Sequence, residues 1–241
     1  MFMVNFDPLF FGASDDPAAA AREKLDEVWN KLVEGGSVLM PIDQYPFSQR
    51  YGWVMDRFSV SWQLILTNPE GEPRPSILPS LMFVGDQCGN AEEAIRFYCS
   101  VFPDSRIGGI HHYPETPGPD KEGTVMFADF QLSDSWFAAM DSAQAHQFGF
   151  NEAVSLLINC EDQAEMDYFT QQMSAVPEAE QCGWIKDKFG VSWQISPIAL
   201  EEMLIRGSRG QIDRVSQALF PMKRIDLAAL EEVFNSAKAG D

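Results

Sequence analysis

Basic side chains are scarce in this chain: 17 Lys and Arg face 36 Asp and Glu, a formal charge of −19 at pH 7. A polyanion of that size repels phosphate backbones and anionic headgroups, which argues against a nucleic-acid or membrane-surface partner. Long apolar runs are missing too. No stretch of about 18 apolar residues is available to span a bilayer. The greasy start MFMVNFDPLFF is broken by Asp7-Pro8, and its first basic residue is Arg22, unlike a secretory leader. A cytoplasmic location is the expectation. Cysteine is sparse: Cys88, Cys99, Cys160 and Cys182 are scattered with no CxxC pair, so they read as reduced thiols rather than zinc ligands. GxGxxG, P-loop, GxSxG and HExxH patterns are all absent, which removes the common nucleotide, hydrolase and metalloprotease signatures. Apolar residues still make up 45% of the 241, enough for a real core in one large or two small domains.

Self-similarity is the strongest positive signal. Residues 52–64 read GWVMDRFSVSWQL and residues 183–195 read GWIKDKFGVSWQI. Each copy predicts a hairpin: a short strand, a polar Asp-Arg/Lys-Phe turn, then an alternating strand. A helix precedes each hairpin. In the first copy Asp16-Pro17 supplies the N-cap and first-turn proline, Leu25, Val28, Trp29 and Leu32 form one stripe, and Gly35-Gly36 ends it. In the second, Met166, Phe169 and Met173 keep helical spacing up to Pro177. Apolar runs over 6–11 and 153–158 suit the leading strands, and another short strand is expected over 37–40.

A third unit of the same kind lies between them. Residues 78–84 form a strand, and Asn90 with Glu93 reads as a capping box for a helix whose stripe is Ala94, Phe97, Tyr98, Val101 and Phe102. Strands follow over 105–110, 123–132 and 135–140, with Met126, Ala128, Phe130 and Leu132 on one face. The intervening HHYPETPGPDKEG is expected to be a mobile loop. From residue 199 onward the character changes, and IALEEMLIRG, QIDRVSQALF and DLAALEEVF predict three short helices in a tail nearly balanced in charge.

The helix segment NAEEAIRFYCSVFPDS, the run FGFNEAVSLLINCED, the GW-x-KDKFG-VSWQI hairpin and the tail PIALEEML…QIDRVSQALFPMKRIDLAALEEVF together resemble the PhnB-like branch of the vicinal-oxygen-chelate superfamily. That superfamily includes glyoxalase I, extradiol dioxygenases and bleomycin-resistance proteins, and this branch often carries a demethylubiquinone methyltransferase label. The resemblance implies an α+β fold: repeated βαβββ modules forming glyoxalase-like half-open barrels around a small-molecule cup, with a helical C-terminal tail. It implies a complete domain over 77–198, made of modules 77–142 and 148–198, and a C-terminal extension over 199–241. Residues 1–67 match only the second half of another domain, as though its first half were cut away. A lone module would expose an apolar half-barrel edge. A homodimer through this N-terminal module is therefore expected; the alternatives are a truncated gene or a module leaning on its own chain.

Metal-dependent members of the superfamily place His or Glu at four cup positions. Carried over, these fall near Pro79, on the Ala138–Asp141 strand end, near Ala153 and on Gln194. Only Asp141 is anionic, and Gln is a weak neutral ligand, so neither a metal nor another cofactor is expected. His111 and His112 are adjacent on a strand and face opposite ways, and His146 stands alone, so all three read as rim or surface residues. In S-W-Q-L/I, Ser and Gln share the face opposite Trp. The cup would then be lined by Ser192, Gln194, Gln63 and Asp141, holding a polar ligand by neutral hydrogen bonds. A Gln satisfied by neighbouring backbone remains the plainer alternative. Trp184 has two places open to it, cup lining or core, with core preferred. Methyl transfer from S-adenosylmethionine is not supported, because VGDQCGN at 84–90 has too few glycines for the nucleotide turn. The expected function is a metal-free small-molecule binder; an enzyme on a small oxygenated substrate and a purely structural module are the other readings. No nucleophile–base pair follows from spacing.

Overall fold

The computed structural model describes residues 1–68, 72–115 and 118–236. The chain divides into two units, Met1–Gly149 and Phe150–Asp241, each described by itself.

The first unit runs β1 (Phe2–Phe6), a 3-10 turn at Pro8–Phe11, α1 (Pro17–Leu32), β2 (Ser37–Tyr45), β3 (Ser48–Met55) and β4 (Ser61–Leu66). A second module follows: β5 (Ile77–Val84), α2 (Ala91–Val101), β6 (Arg106–His112), β7 (Val125–Leu132) and β8 (Ser135–Ser142). All eight strands form one sheet in the order β2-β3-β4-β1-β5-β8-β7-β6. Within each module the first and last strands are parallel, β1 with β4 and β5 with β8. The modules meet where β1 runs antiparallel to β5, with Met3 opposite Leu78. Asn5 N–H donates to Ser76 O at 2.8 Å and Ser80 N–H to Met1 O at 2.9 Å across this seam. The Asn5 side-chain amide adds a bond to Pro75 O at 2.9 Å.

At this seam the N-terminal module leans on its own chain, one of the alternatives that the sequence leaves open. The strand beside β1 is β5, so residues 1–67 are covered by residues 77–142 of the same chain and need no second protomer for that edge. Pattern identifies each module but says nothing about which edges meet. The short connection between the first two favours joining neighbours along the chain.

Local chemistry explains most of the elements. Asp16 accepts from Ala19 N–H at 3.0 Å and Pro17 opens α1. Leu25 and Trp29 are buried against Phe6, Val54 and Leu64, each worth about 2 kcal/mol of apolar burial. At Gly52 an added Cβ would lie 2.5 Å from the Trp29 ring, so only glycine lets α1 approach β3 this closely. The leading strand lies ahead of the 6–11 run that the sequence suggests and shares only Phe6 with it. Asp7 accepts from Leu9 N–H at 2.9 Å, and Pro8 turns residues 8–11 into a 3-10 helix instead. On β7, Ala128, Phe130 and Leu132 are buried as the alternation requires, but Met126 is exposed while Val125 is buried. A bulge between His111 and His112 shifts the register there. Of the loop expected to be mobile, Thr116 and Pro117 lie outside the described residues. Its far end is tied down by the bond from Gly123 N–H to Tyr113 O at 3.0 Å.

The second unit contains β9 (Ser155–Cys160), α3 (Gln163–Met173), β10 (Trp184–Lys186) and β11 (Ser192–Pro197), then α4 (Ile198–Arg206), α5 (Arg209–Leu219) and α6 (Leu227–Asn235). Its sheet order is β10-β11-β9. A 3-10 turn at Pro177–Ala179 occupies the place that β2 holds in the first module. The three tail helices match the sequence expectation. Gln163 anchors them, donating from Nε2 to Ile225 O at 3.1 Å and accepting from Leu227 N–H at 2.9 Å.

The duplicated hairpins repeat a hydrogen-bond circuit as well as a sequence. Asp56 Oδ1 accepts from Phe58 and Val60 N–H at 2.8 and 2.9 Å, and its Oδ2 from the Trp62 indole at 3.0 Å. Asp187 does the same with Phe189, Val191 and Trp193 at 2.9, 3.0 and 2.8 Å. The D-x-F-x-V-x-W pattern is therefore a turn lock. Among the described residues, no helix is long and apolar enough to cross a membrane.

Candidate functional site

Helices α1 and α2 cover one face of the eight-stranded sheet, and its other face carries the candidate site. Met3, Tyr51, Trp53, Leu78, Met82, Val84, Ala138 and Met140 form one buried cluster on this inner face, joined by Met1, Met40, Tyr45, Ile65 and Phe127. Both modules contribute. Five of these residues are methionines, whose flexible thioethers fill irregular space and repack readily.

Two neutral polar side chains, Gln63 and Ser80, border this lining, and further along the same face Asp129, opposite Ala138, pairs with Arg74 at 2.8 Å. Gln63 is 2% exposed, and its amide donates only to Met140 Sδ, at 3.5 Å. Ser80 is also 2% exposed, and its hydroxyl has no hydrogen-bond partner. Trp53 Nε1 donates to Ser61 Oγ at 2.7 Å. Tyr51 stacks edge-on with Tyr45 and Phe47, ring centroids 5.5 and 5.0 Å away. Burial raises its phenol pKa far above the usual value, so it stays neutral.

At one end of the site Ser142 Oγ and His146 Nε2 are 2.8 Å apart. The imidazole stands 5.8 Å from the Trp53 ring and 4.8 Å from Phe148, measured between centroids. Burial lowers its pKa, against a smaller opposing pull from Asp120, and favours the neutral ring. In the sequence His146 stands alone. The contact spans only four residues, but it depends on the turn after β8, which no residue pattern announces.

Of the four sequence-derived cup residues, Gln63 and Asp141 belong to the first unit and Ser192 and Gln194 to the second. Gln63 lies on the inner face of the first unit. Asp141 faces the other way, towards α2. Its Oδ1 accepts from Gly89 and Ala91 N–H at 2.7 and 3.2 Å, and its Oδ2 from Val125 N–H at 2.9 Å. The carboxylate thus caps α2 from across the sheet. Asn90 has the capping position but makes no capping bond; its amide donates to Gln87 Oε1 at 3.0 Å instead. Ser192 and Gln194 belong to the second unit. Gln194 Nε2 donates to Ser155 Oγ at 2.7 Å, while the buried Ser192 hydroxyl has no partner. Trp184 is in register with Gln194, which puts it on that same face.

Of the four cup positions taken from metal-dependent relatives, two lie in the first unit and two in the second. Pro79 and Ala138 cannot ligate, Ala153 precedes β9, and Asp141 is fully engaged. His111 and His112 diverge as expected, His112 Nε2 reaching Glu92 at 2.7 Å on the helix side. Among the described residues, no group of three or more His, Cys, Asp or Glu side chains could hold a metal ion.

A family model described as 3-demethylubiquinone-9 3-methyltransferase matches residues 16–65 and 75–196. Among solved structures, the chain is similar to a putative 3-demethylubiquinone-9 3-methyltransferase, PhnB protein, from Bacillus cereus. That match has 38% identity over 51% of this chain and 99% of the other, with a TM-score of 0.44. It is also similar to the fosfomycin resistance protein FosX from Mesorhizobium loti, at 17% identity over 57% and 98% of the two chains and a TM-score of 0.34. Glyoxalase I from Zea mays matches at 12% identity over 85% and 69%, with a TM-score of 0.42. No curated protein matches the chain.

Proposed function

The chain belongs to the 3-demethylubiquinone-9 3-methyltransferase family, and from that premise we propose that it binds a small, largely apolar molecule on the inner face of its first unit without a metal ion. The unpartnered Ser80 hydroxyl carries this reading. A buried hydroxyl without a partner costs about 1–3 kcal/mol, a cost explained if a ligand acceptor or donor meets it. Gln63 supplies an amide with only a thioether contact, and the methionine-rich lining can open around a guest. The polar groups beside the cluster, Gln63 and Ser80, are neutral, which suits an uncharged ligand there; Asp129, opposite Ala138 on the same face, is already paired with Arg74 at 2.8 Å.

Methyl transfer gains no support from these residues. The amides at the N-terminus of α2, where a cofactor carboxylate or phosphate could dock, are already taken by Asp141. A second reading, an acid–base enzyme on a small oxygenated substrate, has one observation of its own: the Ser142–His146 contact at the rim.

Calorimetric titration with a panel of neutral aromatic and quinone-like compounds tests the proposal. Saturable heat that disappears in Gln63→Leu, with an unchanged circular dichroism spectrum, is the expected outcome. A panel that gives no heat, or a stoichiometric transition metal in protein purified without chelator, overturns it.

A further inference from the structure

Two arginines meet over one indole where β8 leaves the methionine cluster. Trp136 precedes Ala138 by two residues on β8 and so shares its inner face, about 7 Å along the strand. Arg74, from the connection between β4 and β5, places its Cζ 3.7 Å from the Trp136 ring centroid, and Arg106 of β6 stands 4.8 Å from it. Neither guanidinium is loose. Arg74 Nε donates to Asp129 Oδ2 at 2.8 Å and its Nη1 to the Glu72 backbone carbonyl at 2.9 Å, while Arg106 Nε donates to Gln131 Oε1 at 2.8 Å. Gly108 makes the room, since an added Cβ there would run into Asp129 Oδ1 and the Trp136 ring. One further carboxylate lies between the two cations. Glu72 Oε1 accepts from Arg106 Nη2 at 2.6 Å, and its Oε2 is 3.5 Å from Arg74 Nη1. The Glu72 side chain is half exposed, whereas that of Asp129 is only 19% exposed.

We propose that Arg74 and Arg106 form a carboxylate-binding site for one end of the inner-face ligand, and that Glu72 occupies this site until the ligand displaces it. The ligand is then a small carboxylic acid whose apolar body runs from Trp136 past Ala138 towards Ser80, its neighbour in register on β5. The anchors of the two guanidiniums carry the inference. Asp129, Gln131 and the indole hold them whether or not Glu72 is there, so the fork is ready for another carboxylate. When Glu72 swings out to solvent, two positive charges face Asp129 alone, and the balance calls for one anion. Two guanidiniums give that anion charge-assisted hydrogen bonds, stronger than neutral ones. Glu72 is tethered beside the site and competes at a high effective concentration. A bare carboxylate therefore loses to it, and only an acid whose body also packs on the methionine-rich lining gets in. The inference rests on the inner face being the binding face and adds the charged end of the ligand.

Calorimetric titration of the full chain with cinnamate and with its neutral amide, cinnamamide, is the test. The two share one body and differ in charge. Wild-type protein is expected to bind cinnamate about tenfold more tightly, the weight of a charge-assisted hydrogen bond. Glu72→Gln removes the competing charge and should tighten cinnamate by a further factor of about five while leaving cinnamamide unchanged. A glutamate kept only as a surface ion pair gives no such gain. Arg106→Met should abolish the preference between the two compounds with an unchanged circular dichroism spectrum, because Arg106 is half exposed on the edge strand β6. Equal affinities in the wild type, a Glu72→Gln variant that binds cinnamate no better, or a preference that survives Arg106→Met overturns the proposal. Heat from cinnamamide with no advantage for cinnamate takes down this site alone, whereas no heat from either compound takes down the inner-face reading with it.

Discussion

Gln63 Nε2 lies 3.5 Å from Met140 Sδ, although β4 and β8 are three inter-strand steps apart in the sheet. In a flat sheet that separation would be about 14 Å, with both side chains standing parallel. Their contact requires the sheet to curl towards the face that bears no helices. The curl makes that face an interior, where Met3 and Ala138 are buried. The half-open barrel is a consequence of two modules joined edge to edge at β1–β5.

Asp141 joins that barrel to its helix layer. It is 1% exposed and accepts three backbone N–H groups, two at the start of α2 and one on β7. Asp141→Ala leaves those donors unsatisfied and should destabilise the first unit by about 3 kcal/mol. Asp141→Asn turns one acceptor into a donor facing Val125 N–H and should cost about 2 kcal/mol. Urea denaturation measures both. Because the side chain points away from the inner face, ligand heats should survive in either variant under conditions where it is folded.

Glu180 gives the second unit a pH dependence with a defined sign. Hydrogen bonds from Arg224 and then Ser174, opposed by burial, hold its pKa below the ordinary 4.5. The guanidinium is 3.2 Å away, tying residue 224 of the tail to the loop before β10. A depressed carboxylate stabilises the fold above its unfolded pKa and loses that contribution as pH falls through its folded value. Stability should therefore drop on acidification below 4.5, and the drop should be shallower in Glu180→Gln. Hydrogen exchange at residues 222–224 should accelerate over the same window in the wild type. An identical acid slope in the variant would show that the pair plays no part.

The two glycines that open the repeated hairpins should respond differently to alanine. At Gly52 the obstacle is the Trp29 ring, and Gly52→Ala should cost about 2 kcal/mol, partly recovered by Trp29→Phe. Gly183 has φ +81° and a site where a Cβ would run into Ile195 O. Both a left-handed backbone and a backbone clash stand in its way, so Gly183→Ala should cost about 3 kcal/mol with no side-chain rescue. Thermal melts of Gly52→Ala, Gly52→Ala with Trp29→Phe, and Gly183→Ala decide it.

What could be read from residues alone follows from range. The Asp56 and Asp187 turn locks, the Asp16-Pro17 helix start and the three tail helices are written within a few neighbouring positions, and the structure has them where the sequence puts them. The β1–β5 join, the cap on α2 and the Ser142–His146 contact are tertiary or depend on a turn. Asn90 and Glu93 carry the right letters for a capping box, but a carboxylate 50 residues later reaches Ala91 N–H. Gln63 and Gln194 look equivalent in sequence and part in structure, because one sits inside a completed sheet and the other beside an open edge.

Ser80 offers the sharpest separation of stability from binding. Its hydroxyl is buried on the inner face without a partner, and β5 holds it rigidly through the seam bond from its own N–H to Met1 O. Removing an unsatisfied buried hydroxyl relieves its desolvation penalty and leaves a void of only one oxygen. Ser80→Ala should therefore raise stability by about 1 kcal/mol, the reverse of the usual direction for a substitution at a buried site. The same change should weaken binding of whatever compound the inner face accepts by about fivefold, the cost of one neutral hydrogen bond. A hydroxyl kept for packing alone would give no such opposition. Chemical denaturation and calorimetry on one preparation of the variant read both numbers, and a Ser80→Ala protein that is less stable and binds as well as wild type would remove the hydroxyl from the site.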